Sequence, residues 1–364
     1  DKKGVIIMKV KPQFAKLSAY VPGRSIETIQ KTYQLDTIHK LASNENPFGC
    51  SKKVEKAIRK YFHTPNIYPD GAAMNLRIAL SAHLNVQEEQ ILFGAGVDEI
   101  IQMISRALLL PGDNIVQADL TFSQYAHHAV IEGADVKRVP LIAGVHDLPG
   151  MLQAIDERTK IVWICNPNNP TGTIVDQTNL FNFVKQVPPD VLIVLDEAYY
   201  EYVTTDCFAE TIPWIQEFEN IVVTRTFSKA YGLAAYRIGY AVAHKEFITQ
   251  LNLARLPFNT STIAQVAAFG ALKGQKFIQK CVKENEKGRQ MLESYCRTMG
   301  IKSYPSQANF VYMKLSNAEQ LSIRLEQKGF IVRAFPNGIR VTIPKQKVLE
   351  QFIKVFSKVY KKRK

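Results

Sequence analysis

The sequence predicts an α/β protein, with a large domain built on a mostly parallel sheet flanked by helices and a smaller α+β domain after it. Three observations lead there. At 364 residues the chain exceeds what one compact core usually holds. Between about residues 90 and 245, short β-branched runs alternate with stretches of helical periodicity. Later in the chain the order changes to helices first and strands afterwards.

"QILFG" (90–94), "NIVQA" (114–118), "DVKRVP" (135–140), "KIVWIC" (160–165), "VLIVLD" (191–196) and "NIVVTRT" (220–226) read as strands. Several are almost wholly apolar, the pattern of strands covered on both faces. "VDEIIQMISRALLLPGD" and "TNLFNFVKQV" between them carry apolar residues at helical spacing. In the second part, "TIAQVAAFGALKG" and residues 275–300 are helical. "QANFVYMKL", "GFIVRAF" and "GIRVTIP" are strand-like, and a last helix covers about 345–360. There is no internal repeat.

The bulk composition narrows the function classes. With 46% hydrophobic and 22% charged residues the chain has the make-up of a globular protein. No apolar run approaches the ~20 residues needed to cross a bilayer, so no membrane partner is expected. The opening "DKKGVIIMKVKP" has too short an apolar run for a signal peptide. Met8 reads as a candidate start, with residues 1–7 outside the native chain. Cys50, Cys165, Cys207, Cys281 and Cys296 show no CxxC spacing, which points to a reducing, cytoplasmic setting. The net charge of +13 invites a nucleic-acid reading, but the basic residues are dispersed and only the terminal "KKRK" is a run. No nucleic-acid partner is therefore expected, and the positive balance suits anionic metabolites instead. His127 and His128 are adjacent and face different ways on a helix, and no Cys/His spacing suggests zinc, so no metal is expected.

Several motifs carry chemistry, each beside a plainer reading. Asp196 closes an apolar strand, where ligand-facing residues of open α/β sheets sit, although an isolated aspartate there is better explained as a helix cap. "ICNPNNPTG" (164–172), taken alone, is a loop. "LFGAGVDEIIQM" (92–103) is strand, glycine turn and helix, a device for an anion; with Glu99 where a dinucleotide fingerprint needs a third glycine, a single phosphate fits better. Lys229 lies between Ser228 and Ala230, directly after a strand. Lysines commonly end up on the surface, but here a Schiff-base role is open, with the amine's pKa lowered by burial and neighbouring cations. Thr226, Ser228 and Arg237 are then positioned to hold a phosphate. Together these parts meet the needs of pyridoxal phosphate: an amine, a carboxylate for the ring nitrogen, donors for a phenolic oxygen and a phosphate cup.

"SNENP" (43–47), "NPNNPTG", "DEAYYEY" and "SKAYGLAAYRIGY" resemble the fold type I pyridoxal-phosphate aminotransferases, over about residues 14 to 355. Within that group, "SAYVPG", "LASNENPFG", "YPDG", "GAGVDE" and the "IVR…GIRVTI" pair are most similar to the histidinol-phosphate aminotransferase family. The resemblance implies an N-terminal arm and part of the small domain over 1–43, a large cofactor-binding domain over 44–246 and a small C-terminal domain over 247–364. It implies pyridoxal 5'-phosphate joined covalently to Lys229, Asp196 on the ring nitrogen, and Asn169 and Tyr199 on the phenolic oxygen. The backbone at Val97 and Asp98 and the side chains of Thr226, Ser228 and Arg237 would take the phosphate, and Phe122 would stack on the ring. Tyr68 would reach the cofactor phosphate of the neighbouring subunit, implying a homodimer with shared active sites. Tyr20, Asn44, Arg333 and Arg340 would bind substrate. Leu120, Tyr236 and Pro344 depart from the family pattern without touching a chemical group; they bear on loop shape and substrate fit.

The implied reaction is transamination of L-histidinol phosphate with 2-oxoglutarate to imidazole-acetol phosphate and glutamate, a step of histidine biosynthesis. An aromatic amino-acid aminotransferase and a pyridoxal-phosphate decarboxylase of a phosphorylated amino acid stand as alternatives. A basic nucleic-acid-binding protein on the same fold is the alternative from a different class.

Overall fold

The computed structural model describes residues 9–18, 26–61 and 64–361. A short helix α1 (Ile26–Tyr33) and strand β1 (His39–Leu41) precede α2 (Lys52–Arg59) and α3 (Met74–Leu84). Strand β2 (Ile91–Gly94) leads into α4 (Val97–Leu108), and β3 (Asn114–Ala118) into α5 (Gln124–Ile131). β4 (Asp135–Val139), α6 (Leu148–Ala154), β5 (Thr159–Cys165), α7 (Gln177–Val184), β6 (Leu192–Asp196) and β7 (Ile221–Thr226) continue the alternation. Side-chain caps begin three of these helices: Ser51 accepts from Lys53 N, Asp147 from Gly150 N and Asp176 from Asn179 N.

These strands and β8 (Gly239–Ala243) form a seven-stranded sheet in the order β2-β8-β7-β6-β5-β3-β4. All neighbours from β7 to β4 are parallel, while β8 runs antiparallel to both β7 and β2. The sheet is mostly parallel, as expected, and its one reversed strand falls at a place where the sequence shows little strand signal. "GYAVA" is rich in small residues, and pairing on both sides makes it a strand. Its Gly239 is needed for space, since a Cβ there would sit 2.9 Å from Val97 N at the start of α4.

Alternate residues feed two cores. Ile161, Trp163 and Cys165 of β5 face the α4–α5 side, and Val162 and Ile164 face the α3, α6 and α7 side. Both sheet faces are thus covered, as the apolar runs require.

The second sheet has the order β1-β10-β11-β9, from β9 (Phe310–Lys314), β10 (Phe330–Phe335) and β11 (Gly338–Thr342) with β1 parallel to β10. Between the sheets the chain forms α8 (Lys245–Leu251), α9 (Thr262–Leu272) and the long α10 (Gln275–Met299). α11 (Ala318–Glu326) and α12 (Gln346–Lys361) flank the second sheet. α9 packs on α2 and α3, and its Ala264, Ala267, Ala268 and Ala271 share the first sheet's core although they lie beyond residue 247. Among the described residues no helix is long and apolar enough to cross a membrane.

Candidate active site

The chemistry-bearing motifs meet at one edge of the large sheet. β5, β6 and β7 are parallel, and the segments leaving their carboxyl ends hold Asn169, Tyr199 and Lys229, with Asp196 as the last residue of β6. Ligands of open α/β sheets bind at this edge because the loops there diverge and helix N-termini point inward. α4 begins beside it, and its first turn leaves the N–H groups of Val97 and Asp98 without intrahelical acceptors. Gly96, at φ 81°, keeps that turn open; a Cβ on it would fall 2.4 Å from Arg237 Nη2. Arg237 also donates to Ser228 Oγ at 3.4 Å and lies 3.5 Å from the Asp98 carboxylate. Thr226 is buried, its Oγ1 accepting from Ser228 N at 3.0 Å. The cup read from the sequence, Val97, Asp98, Thr226, Ser228 and Arg237, is thus assembled in space.

Lys229 is half-buried at the centre. Its Nζ donates to the Ser43 carbonyl at 3.1 Å and lies 5.9 Å from the centre of the Tyr199 ring. Burial first, then the Arg340 and Arg237 guanidinium groups, pulls its pKa down to about 8. A lysine in that range supplies neutral amine near physiological pH, as a nucleophile or proton carrier must.

Asp196 is 2% exposed. Its Oδ1 accepts from Thr224 Oγ1 at 3.2 Å and its Oδ2 from the Tyr125 hydroxyl. Burial still dominates and pushes the carboxyl up to about 6. A folded pKa above the unfolded value leaves stability unaffected below about pH 4, and costs stability progressively as pH rises through 6. The full penalty at neutral pH is about 3 kcal/mol, at 1.36 kcal/mol per unit. Asp196→Asn is therefore expected to raise the thermal midpoint of the cofactor-free protein at pH 8 by a few degrees and to change it little at pH 4. Scanning calorimetry at the two pH values checks this.

A second set of residues comes from the small sheet. Arg340 donates to Asn169 Oδ1 and to the Ala42 carbonyl, with its guanidinium 5.3 Å from the Phe310 ring centre. Arg333 stands directly opposite Arg340 across the antiparallel β10–β11 pair. Asn44, at φ 57°, is buried, and its Nδ2 donates to the Tyr199 hydroxyl at 2.9 Å. Its Oδ1 accepts from Thr342 Oγ1 at 2.9 Å, while its N donates to the same hydroxyl at 3.0 Å. Burial raises the Tyr199 phenol pKa well above its ordinary value, so it remains a proton donor.

Phe122 lies edge-on to Tyr125 with ring centres 5.6 Å apart. Tyr68 is not gathered with this group: it is 77% exposed, its ring stacked on Phe258 at 4.7 Å. Tyr20 lies outside the described residues. The sequence reading missed Tyr125, Thr224 and the buried pair Glu197–Arg225, whose Nη2 and Oε2 are 2.8 Å apart. Thr224 and Arg225 are visible only as parts of a strand, and Glu197 only as the neighbour of Asp196.

Comparison with known proteins gives the family. The family profile "Aminotransferase class I and II" matches residues 36–356. Histidinol-phosphate aminotransferase 1 of Bacillus anthracis is 51% identical over 358 residues, which covers 97% of both chains. Histidinol-phosphate aminotransferase of Bacillus cytotoxicus is 52% identical over 342 residues, 92% of each. The crystal structure of histidinol-phosphate aminotransferase from Sinorhizobium meliloti in complex with pyridoxal-5'-phosphate superposes with a TM-score of 0.90 at 26% identity, over 98% of this chain and 99% of that one. The chain belongs to the class I and II aminotransferases.

Proposed function

We propose that the protein is a pyridoxal 5'-phosphate-dependent transaminase that interconverts L-histidinol phosphate and 2-oxoglutarate with imidazole-acetol phosphate and glutamate. In the biosynthetic direction, toward histidine, glutamate is the amino donor. The observation that carries the substrate is the Arg333–Arg340 pair. Like charges directly opposite on a sheet repel, so two arginines at one register position favour an anion between or beside them.

The donor set fits the cofactor: an amine of lowered pKa at Lys229, a buried carboxylate at Asp196, and an anion cup that a side chain at position 96 would close. When bound, the cofactor supplies an electron sink for the carbon that carries the reacting amine. Lys229 would hold it covalently through Nζ, and its amine is the group that would carry the proton of that carbon. Asp196 faces the ring nitrogen and keeps it protonated. Asn169 and Tyr199 address the phenolic oxygen; because Asn44 already donates to the Tyr199 oxygen, the phenolic proton is left to point elsewhere. Val97 and Asp98, through their backbone N–H groups, and Thr226, Ser228 and Arg237 take the phosphate, and Phe122 packs on the ring. Arg340 binds the carboxylate of glutamate or the phosphate of the other substrate, with Arg333 and Asn44 in support; Tyr20 is assigned to the substrate by the resemblance alone.

In this reading residues 44–246, joined by α9 in their core, form the cofactor-holding domain, and β1 with β9, β10 and β11 makes the small sheet beside it. The five unpaired cysteines suit a cytoplasmic enzyme. Arg333→Gln is expected to lower kcat/KM for histidinol phosphate about 30-fold or more, the cost of losing one side of a desolvated charge contact, and to affect phenylalanine far less. The ratio of the two efficiencies in wild type and variant is the measurement. An unchanged ratio would make an aromatic amino acid the better substrate assignment.

A homodimer with shared sites accompanies this reading. Ile67, Tyr68, Leu253, Leu256 and Phe258 are 62%, 77%, 87%, 61% and 46% exposed, a density of apolar surface that favours burial by a second copy. Sedimentation is expected to show a dimer. Mixing Tyr68→Phe with Lys229→Ala chains is expected to give activity above that of either variant alone, because mixed dimers regain one intact site. A fully active monomer would exclude shared sites.

A further inference from the structure

Hydroxyl groups hold Asp196 from two sides, and their role rests on the assignment of Asp196 to the cofactor's ring nitrogen. Tyr125 lies in α5, far from Asp196 in sequence, yet its hydroxyl donates to Oδ2. Its ring lies flat on Trp163, with centres 4.4 Å apart and planes 7° apart, and both rings are fully buried. Phe122 meets the same ring edge-on. A phenol clamped in this way cannot swing, so its hydroxyl is delivered to one place. Thr224, paired with Asp196 in the β6–β7 register, supplies the second donor at Oδ1.

Two donors fix the plane of the carboxylate and leave lone pairs for a third. They also favour its charged form, acting against burial. The Tyr125 proton stays in place, because burial and the adjacent Asp196 raise the phenol pKa well above its ordinary value. The geometry points to Tyr125, backed by Thr224, as the positioning residue that keeps Asp196 ionised and aimed at the ring nitrogen.

The test needs no turnover. Cofactor-free protein is titrated with pyridoxal phosphate and with its 1-deaza analogue, in which CH replaces the ring nitrogen and has nothing to donate to Asp196. Wild type is expected to prefer the natural cofactor. Tyr125→Phe keeps the ring on Trp163 and removes only the hydroxyl; it is expected to shrink that preference about tenfold or more, the span of a hydrogen bond to a charged group. Thr224→Val should shrink it in the same direction, and Thr224→Ser should restore it. A Tyr125→Phe protein with the wild-type ratio overturns the proposal, even if both ligands bind more weakly, since that result describes packing alone. Should Tyr125→Phe fail to fold, an unchanged ratio in Thr224→Val overturns it equally. A wild type with no preference instead removes the Asp196 assignment itself.

Discussion

Lys229→Ala is expected to lower transamination by at least about 10⁴-fold, the upper span for a single positioned acid–base group, while the fold persists. The fold persists because little leans on this side chain. Its amine makes one hydrogen bond, to the Ser43 carbonyl, and burial already disfavours its charge. Losing that bond costs about 1 kcal/mol, a small part of a domain's stability. The variant should still bind cofactor non-covalently through the cup around Gly96 and Arg237. Borohydride reduction of the wild-type complex, followed by peptide mapping, should place the phosphopyridoxyl label on Lys229. A label on another lysine removes the assignment. The pH dependence has a definite sign: the neutral amine reacts, so the rate of covalent loading should rise as pH climbs toward about 8 and level off above it.

Arg225→Ala is expected to cost about 3–5 kcal/mol of stability, the toll of leaving a buried carboxylate without its cation. Glu197 and Arg225 are 1% and 4% exposed. Arg225 Nε donates to Glu197 Oε2 at 2.9 Å, and the guanidinium stacks 3.3 Å over the centre of the Tyr200 ring. Glu197 also accepts from the Thr211 hydroxyl. Burial pushes nearby Glu201 up to about 7, with Arg225 opposing that shift, so the variant strands two carboxylates rather than one. Raised carboxyl values mean stability that is present at low pH and lost as pH rises through them. The loss should therefore be smaller at pH 5 than at pH 8. Replacing both partners, Glu197→Leu with Arg225→Met, should recover most of the loss, because no charge is left behind. Urea midpoints at the two pH values decide the matter; equal losses at both would mean that Glu201 does not titrate as described.

Much of the site was legible because its chemistry is written in contiguous motifs. Lys229 with its hydroxyl neighbours, Asp196 at the end of an apolar run, and the glycine turn before Val97 each occupy a strand end, and parallel strands bring their ends to one edge. Backbone connectivity and period-two patterning suffice for that. The Arg333–Arg340 juxtaposition was half legible: the two strands could be read, but their register could not. β8 escaped because glycine and alanine carry little strand preference, and only hydrogen bonding to β7 and β2 decides their conformation.

Other features arise only on folding, since they join residues far apart in the chain. The Tyr125 hydroxyl reaches Asp196 across 71 residues, and Asn44 reaches Thr342 across 298. Side-chain hydrogen bonds of this kind leave no periodic trace in the sequence, because a single polar residue reads the same whether it faces water or a buried partner. Pairing α/β alternation with charged motifs at strand ends was enough to single out Lys229 and Asp196 as candidates at one sheet edge. The depressed amine of Lys229, the raised carboxyl of Asp196 and the Glu197–Arg225 pair come from desolvation, which depends on everything packed around a group and exists only once the chain has closed over it.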